Sequence, residues 1–237
     1  MIELSSDTGK TIFNTFDQES PIATEMRRFY SNIQSNSKGG SIGGLMITSA
    51  NRGEGKTTVA SHLALTVARF KEKKSLIVDA DLRRAKIHEI FNVPKKPGLA
   101  ECLKDNLDPL KVIKDTKIDN LKVMTSGKLL ESPSHLFEKE ALTNIFEKIK
   151  FYYDIVIVDS PPVLPVSDPM LISSVVGKVA MVVLAGKTPR DVVLRAKKIL
   201  LDADADIIGL VVNNHSEVLP YYYDYKYYGY SHEPSEK

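Results

Sequence analysis

The sequence predicts an α/β domain in which a mostly parallel sheet is doubly wound, with helices on both faces. Three observations carry that prediction. Short apolar runs alternate with longer helical stretches, the runs are rich in β-branched residues without polar alternation, and a glycine-containing loop joins the first run to the first long helix. Strands buried on both faces lose their alternation because neither side meets water. Alternation of strand with helix makes neighbouring strands parallel, joined by crossovers.

Ser20-Pro21 opens a polar helical segment that continues to about Ile33, and serine, asparagine and glycine mark Ser35 to Gly44 as a loop. Residues 1–44 therefore read as an N-terminal helical arm and linker. A domain over 45–214 begins with the strand Leu45 to Thr48, crosses the loop, and enters a helix from about Lys56 to Phe70. Further strands are expected at Ser75 to Val78, Leu121 to Met124, Ile155 to Val158, Val179 to Leu184 and Ile207 to Val212. Helices are expected between them at Pro133 to Lys150, Ser167 to Val176 and Pro189 to Ala203. Residues 215–237 read as an exposed, flexible tail. It holds seven tyrosines, Tyr221, Tyr222, Tyr223, Tyr225, Tyr227, Tyr228 and Tyr230, with neither a strand nor a helix period.

A length of 237 residues suits one large domain of this kind. Lysine and arginine total 32 against 30 acidic residues, so charge gives no reason to expect nucleic acid as a partner. No apolar run is long enough to span a bilayer, and Met1 to Lys10 lacks the form of a signal peptide, which together suggest a cytoplasmic chain. Cys102 is the only cysteine, which excludes an internal disulfide and a cysteine-based zinc site. The five histidines show no ligand spacing.

The loop Ala50-Asn51-Arg52-Gly53-Glu54-Gly55-Lys56-Thr57 matches the phosphate-loop pattern except that Ala50 stands in place of the first glycine. Gly53 and Gly55 let the backbone approach phosphate oxygens, and the N–H groups that open the next helix point at the anion. Asn51 to Thr58 are therefore the candidate nucleotide-binding residues. Lys56 reaches the terminal phosphates, Thr57 offers its hydroxyl to magnesium, and Thr58 offers one to the phosphates nearest the helix. The setting of strand, loop and helix makes this a P-loop NTPase fold that binds ATP with Mg2+. Hard oxygen ligands are then needed for the metal. Asp159 ends the apolar run Ile155 to Val158, and Asp79 ends Ser75 to Val78, with Asp81 two residues on and Arg83-Arg84 behind it. Thr57, Asp79 and Asp159 are the metal candidates. Asn213 ends the last strand, where it serves either adenine recognition or a turn.

A second aspartate-bearing strand of this kind, with Ser49 to Thr58, Leu76 to Arg84, Pro97-Gly98-Leu99, Thr125-Ser126-Gly127, Asp154 to Val163 and the tyrosine tail, resembles the bacterial tyrosine kinases of capsule and exopolysaccharide production. That family is related to MinD/ParA-type ATPases. The resemblance implies that Lys56 and Thr57 hold phosphate and magnesium and that Asp79 and Asp159 support the metal. It also implies that Asp81 assists the incoming tyrosine hydroxyl and that the seven tail tyrosines are acceptors. Catalysis then rests on Asp81, Lys56 and Asp79. Implied partners are a transmembrane activator of the polysaccharide co-polymerase type, which would hold the chain at the inner face of the membrane, an opposing tyrosine phosphatase, and further copies of the chain in a ring.

The family's N-terminal E-x-x-R-x-x-R ring motif aligns with Thr24, Arg27 and Tyr30, or with Glu25, Arg28 and Ser31 one residue on, so neither register keeps every charge. Asn51 stands where ParA/MinD ATPases carry a signature lysine, which favours the kinase branch. The alternatives are a regulatory ATPase of the MinD/ParA kind and a nucleotide-dependent adaptor module.

Overall fold

Leu45, Met46 and Ile47 have no side that meets water, and strand β1 (Gly43–Ser49) accordingly runs through the middle of the sheet. The computed structural model describes residues 20–35, 42–128 and 133–213. Within them lie β2 (Ser75–Asp79), β3 (Ile113–Asp115), β4 (Leu121–Met124), β5 (Ile155–Asp159), β6 (Lys178–Leu184) and β7 (Asp206–Asn213). Their order across the sheet is β3-β4-β2-β5-β1-β6-β7. Every pairing is parallel except β3 with β4. The mostly parallel, doubly wound sheet is thus as the sequence predicts. The antiparallel edge β3 was not predicted, since three residues are too short to show a period.

Alternate residues of the central strands feed two cores. Leu45 and Ile47 of β1, Ile77 of β2 and Ile157 of β5 point to a face covered by α1 (Pro21–Ser35) and α2 (Lys56–Phe70). Met46, Val78 and Val158 point to the other, covered by α5 (Lys139–Tyr152), α6 (Asp168–Val176) and α7 (Arg190–Asp202). Two short helices, α3 (Ile87–Ile90) and α4 (Leu99–Asp105), lie on the two faces respectively, Ile87 in the first core and Leu99 in the second. Burial of each aliphatic side chain contributes about 1.5–3 kcal/mol, so this double-sided packing is what holds the sheet.

Helix α1 starts where Pro21 supplies a preset φ and the Ser20 hydroxyl accepts the Ala23 N–H at 3.2 Å. Its Ala23, Tyr30 and Ile33 join the first core, and the Arg27 guanidinium sits 4.4 Å over the Phe70 ring. The helical part of the N-terminal arm is therefore packed on the domain. The expected loop also ends earlier than Gly44, because β1 already pairs with β5 at Gly43.

The expected helix Pro133 to Lys150 is divided. A 3-10 turn covers Pro133–Leu136, and α5 begins only at Lys139 after Glu138 has taken an extended conformation. Phe137 is buried between them, and the Ser134 hydroxyl is engaged by Asp168, so side-chain anchoring overrides helix propensity here. The tyrosine cluster Tyr221 to Tyr230 lies outside the described residues.

Candidate active site

Parallel pairing brings the three predicted motifs to one edge. Ile47 of β1 and Asp79 of β2 both stand in register with Asp159 of β5, so the loop after β1, the turn after β2 and the end of β5 emerge side by side. Neighbouring strands lie about 4.8 Å apart, which places all three within reach of one phosphate chain. Ligands of open α/β sheets bind at such carboxyl ends.

The phosphate loop is shaped from within. Gly55 takes φ 93° and caps α2, a left-handed conformation that glycine adopts without strain; a Cβ there would also fall 2.1 Å from the Asn213 amide nitrogen. Ala50 needs no such conformation, which explains why alanine replaces the first glycine of the pattern. Glu54 is 3% exposed, and its carboxylate accepts the Asn51 N–H at 2.8 Å and the Thr188 hydroxyl at 2.5 Å. The Asn213 amide donates to the Glu54 carbonyl at 3.0 Å. Asn51, Arg52 and Gly53 are exposed at the mouth of the loop, while Lys56, Thr57 and Thr58 occupy the first, half-buried turn of α2.

Lys56 points across to the turn after β2, with Nζ 3.4 Å from Asp81 Oδ2 and 3.5 Å from the Thr57 hydroxyl. Asp81 is 4% exposed and its other oxygen accepts the backbone N–H groups of Arg83 at 3.3 Å and Arg84 at 3.0 Å. Behind it, Asp79 accepts the N–H groups of Asp81 at 3.3 Å and of Lys86 and Ile87 at 3.1 Å each, closing the turn and opening α3. Burial, then the neighbouring Asp159, pushes the Asp79 carboxyl well above the usual carboxylate range. The same burial raises Asp159 to about 6, opposed by the Lys56 cation and a hydrogen bond from Thr57.

Asp159 is 1% exposed, and its Oδ1 has no hydrogen-bond partner among the described residues. A buried carboxylate oxygen without a partner is costly unless a ligand meets it. With the Thr57 hydroxyl beside it, the donor set is hard oxygen and suits Mg2+, which keeps waters and phosphate oxygens in most of its octahedron.

Sequence reasoning found the loop, both strand-end aspartates and Asp81, and the fold brings them together. It missed Thr188, which stands 134 positions from the Glu54 carboxylate it bonds. For Asn213, read from the sequence as serving adenine recognition or a turn, the structure shows an amide that donates to the loop backbone. A Thr-Pro pair before a helix looks like an ordinary helix start, so nothing local marks Thr188.

The fold and the carboxyl-end site are those of the P-loop NTPase class. A family model described as an AAA domain matches residues 45–181. The cell division ATPase MinD of Pyrococcus furiosus shares the fold, at 22% identity over 73% of this chain and 72% of that one, with a TM-score of 0.63. The chimerical protein CapA2B2 is nearer, 34% identical over 84% of this chain and 87% of that one, with a TM-score of 0.77. The tyrosine-protein kinase YwqD of Bacillus subtilis is 31% identical over 86% of this chain and 85% of its own length. The chain belongs to the bacterial tyrosine kinases.

Proposed function

We propose that the chain is an ATP-dependent tyrosine autokinase that phosphorylates its own C-terminal cluster in trans and so regulates capsule or exopolysaccharide synthesis or export. The observation that carries this reading is the approach of Lys56 Nζ to Asp81 Oδ2 at 3.4 Å, a phosphate-binding cation set against a carboxylate whose other oxygen is held by the turn.

Phosphoryl transfer asks the protein mainly for positioning and charge neutralisation. Lys56 and the N–H groups of α2 hold the terminal phosphates. Asp81 orients the tyrosine hydroxyl, whose oxygen forms a bond to the γ-phosphorus as the bond to the bridging β–γ oxygen breaks. The hydroxyl proton passes to Asp81, and ADP leaves. Thr57 and Asp159, with Asp79 behind them, would hold magnesium, which would supply neutralisation of charge on the phosphate oxygens.

Seventeen positions separate Asn213 from Tyr230, a reach of about 55–60 Å when extended at ~3.3–3.6 Å per residue. That is enough to enter a neighbouring subunit's site. Each phosphate adds about −1.5 to −2 charges to the tail, so repeated modification opposes association. Self-association, an activating transmembrane partner that keeps the chain at the membrane, and an opposing phosphatase complete the cycle.

Mixing tests the reading. Lys56→Met protein with its tail, incubated with radiolabelled ATP and active protein truncated after Asn214, is expected to gain phosphotyrosine, with labelling that falls steeply on dilution. Absence of label in this mixture and in the wild type, at high concentration with an activator peptide present, would leave an adaptor module as the better reading.

A further inference from the structure

Asp81 is held by the turn it belongs to, and that turn is anchored from outside by a buried carboxylate with no place in the steps above. Asp168 opens α6, after the loop that follows Asp159, and is 1% exposed. Its Oδ2 lies 3.3 Å from Arg83 Nη2, and its Oδ1 accepts the Ser134 hydroxyl at 2.5 Å. The same Arg83 nitrogen donates to the Ser134 oxygen at 2.6 Å. Arg83, Ser134 and Asp168 thus close a triangle between three segments far apart in sequence: the turn after β2, the 3-10 turn at Pro133–Leu136, and the start of α6.

A buried ion pair adds little net stability over apolar packing of the same volume, because desolvation offsets most of the attraction. Its distinctive contribution is geometry. The first turn of α6 favours a carboxylate electrostatically, and the planar guanidinium accepts only a narrow range of directions. Fixing that guanidinium fixes the backbone at Arg83, whose N–H donates to Asp81 Oδ1 while Asp81 Oδ2 faces Lys56.

We propose that Asp168 is a positioning residue for tyrosine transfer: with Ser134 it clamps Arg83 and thereby holds the Asp81 carboxylate in line with Lys56. This rests on the reading of Asp81 as the group that orients the tyrosine hydroxyl. The clamp bears on the turn that holds Asp81, so its effect is expected on the rate of transfer rather than on nucleotide binding. A misplacement on the order of 1 Å in a reacting group costs up to about 10²-fold in rate, which sets the scale of the effect.

The test uses full-length variants, with Lys56→Met protein as the acceptor, and follows phosphotyrosine formation together with Mg-ATP affinity by calorimetry. Asp168→Asn is expected to lower kcat about 10- to 30-fold while KM and Kd for nucleotide stay within about threefold. Ser134→Ala is expected to lower kcat by less, with the same split. The decisive reading is the double variant Asp81→Asn/Asp168→Asn, which is expected to be no slower than Asp81→Asn alone because Asp168 acts through Asp81. Multiplying losses in the double variant, or a nucleotide affinity that falls in step with the rate, would overturn the clamp while leaving the kinase reading intact. If Asp168→Asn does not fold, Ser134→Ala paired with Asp81→Asn gives the same comparison. Absence of tyrosine label from the wild type would overturn both.

Discussion

The phosphate loop and the turn after β2 supply the two halves of the site and are built on opposite principles. In the loop, Asn51, Arg52 and Gly53 are exposed, and the backbone is shaped by glycine and by one buried side chain, Glu54, braced from β7 and from the segment before α7. In the turn, the carboxylates are the buried parts, and five backbone N–H groups point at Asp79 and Asp81. A loop of the first kind adapts to its ligand at little cost. A turn of the second kind is organised beforehand and stores unfavourable charge to remain so. Damage to the loop therefore registers in binding, and damage to the turn registers in rate and in pH dependence.

The largest expected effect comes from Lys56, which serves both halves. Lys56→Met is expected to reduce autophosphorylation by about 10³-fold or more, with an unchanged circular dichroism spectrum, since a phosphate-directed lysine contributes no core packing. Transfer that persists would remove Lys56 from the mechanism. Asp81→Asn sharpens the contrast, with phosphotyrosine formation slowed by about 10²-fold or more and Mg-nucleotide affinity held within about threefold. Asp159→Asn is expected to weaken magnesium-dependent binding itself. If calorimetry ranks Asp81→Asn as the poorer binder of the two, the division between the halves is wrong.

These halves were unequally legible in the sequence. The loop was readable because its chemistry is contiguous: strand, glycines, lysine and hydroxyls follow one another, and each has a local reason to be there. Asp79 and Asp159 were readable as strand-end carboxylates, but that they are register neighbours depends on β5 inserting between β1 and β2, a matter of sheet order that no window of sequence contains. Asp168 reads locally as part of a helix that starts at Ser167, and Ser134 as part of another. Their meeting with Arg83, across 85 and 51 positions, exists only in the folded chain. Helix boundaries failed for a related reason, since Phe137 ends the 3-10 turn by entering a core that the sequence pattern does not locate.

A smaller effect follows from the charge stored at Asp159. The folded carboxyl titrates at about 6 against a reference of 3.8, so between those values the folded state binds more protons than the unfolded one. Stability accordingly falls as pH rises through that window, and the penalty is fully present above it. Asp159→Asn removes the charge and is expected to stabilise the nucleotide-free protein by about 1–3 kcal/mol at pH 7.5, a gain that shrinks toward pH 5. Thermal melts of wild type and variant across that range measure it. A gain that does not vary with pH would show that the buried charge is not its source.

The smallest effect concerns the brace on the loop side. Thr188 donates its hydroxyl to Glu54 and accepts the Leu184 N–H at 3.2 Å, so it joins the phosphate loop to the end of β6. Thr188→Ala leaves the buried Glu54 carboxylate with the Asn51 N–H alone among the described residues, a loss of about 1.5–3 kcal/mol for a hydrogen bond to a charged group. Because the loop is the adaptable half, part of that loss is expected to appear as a nucleotide affinity weakened about 3- to 10-fold, with the rate of transfer from bound nucleotide unchanged. Thr188→Ser, which keeps the hydroxyl, is expected to restore most of the affinity. Single-turnover transfer at saturating nucleotide separates the two parameters. A slower rate with normal affinity in Thr188→Ala would mean that the brace reaches the turn as well, and that loop and turn respond as one unit.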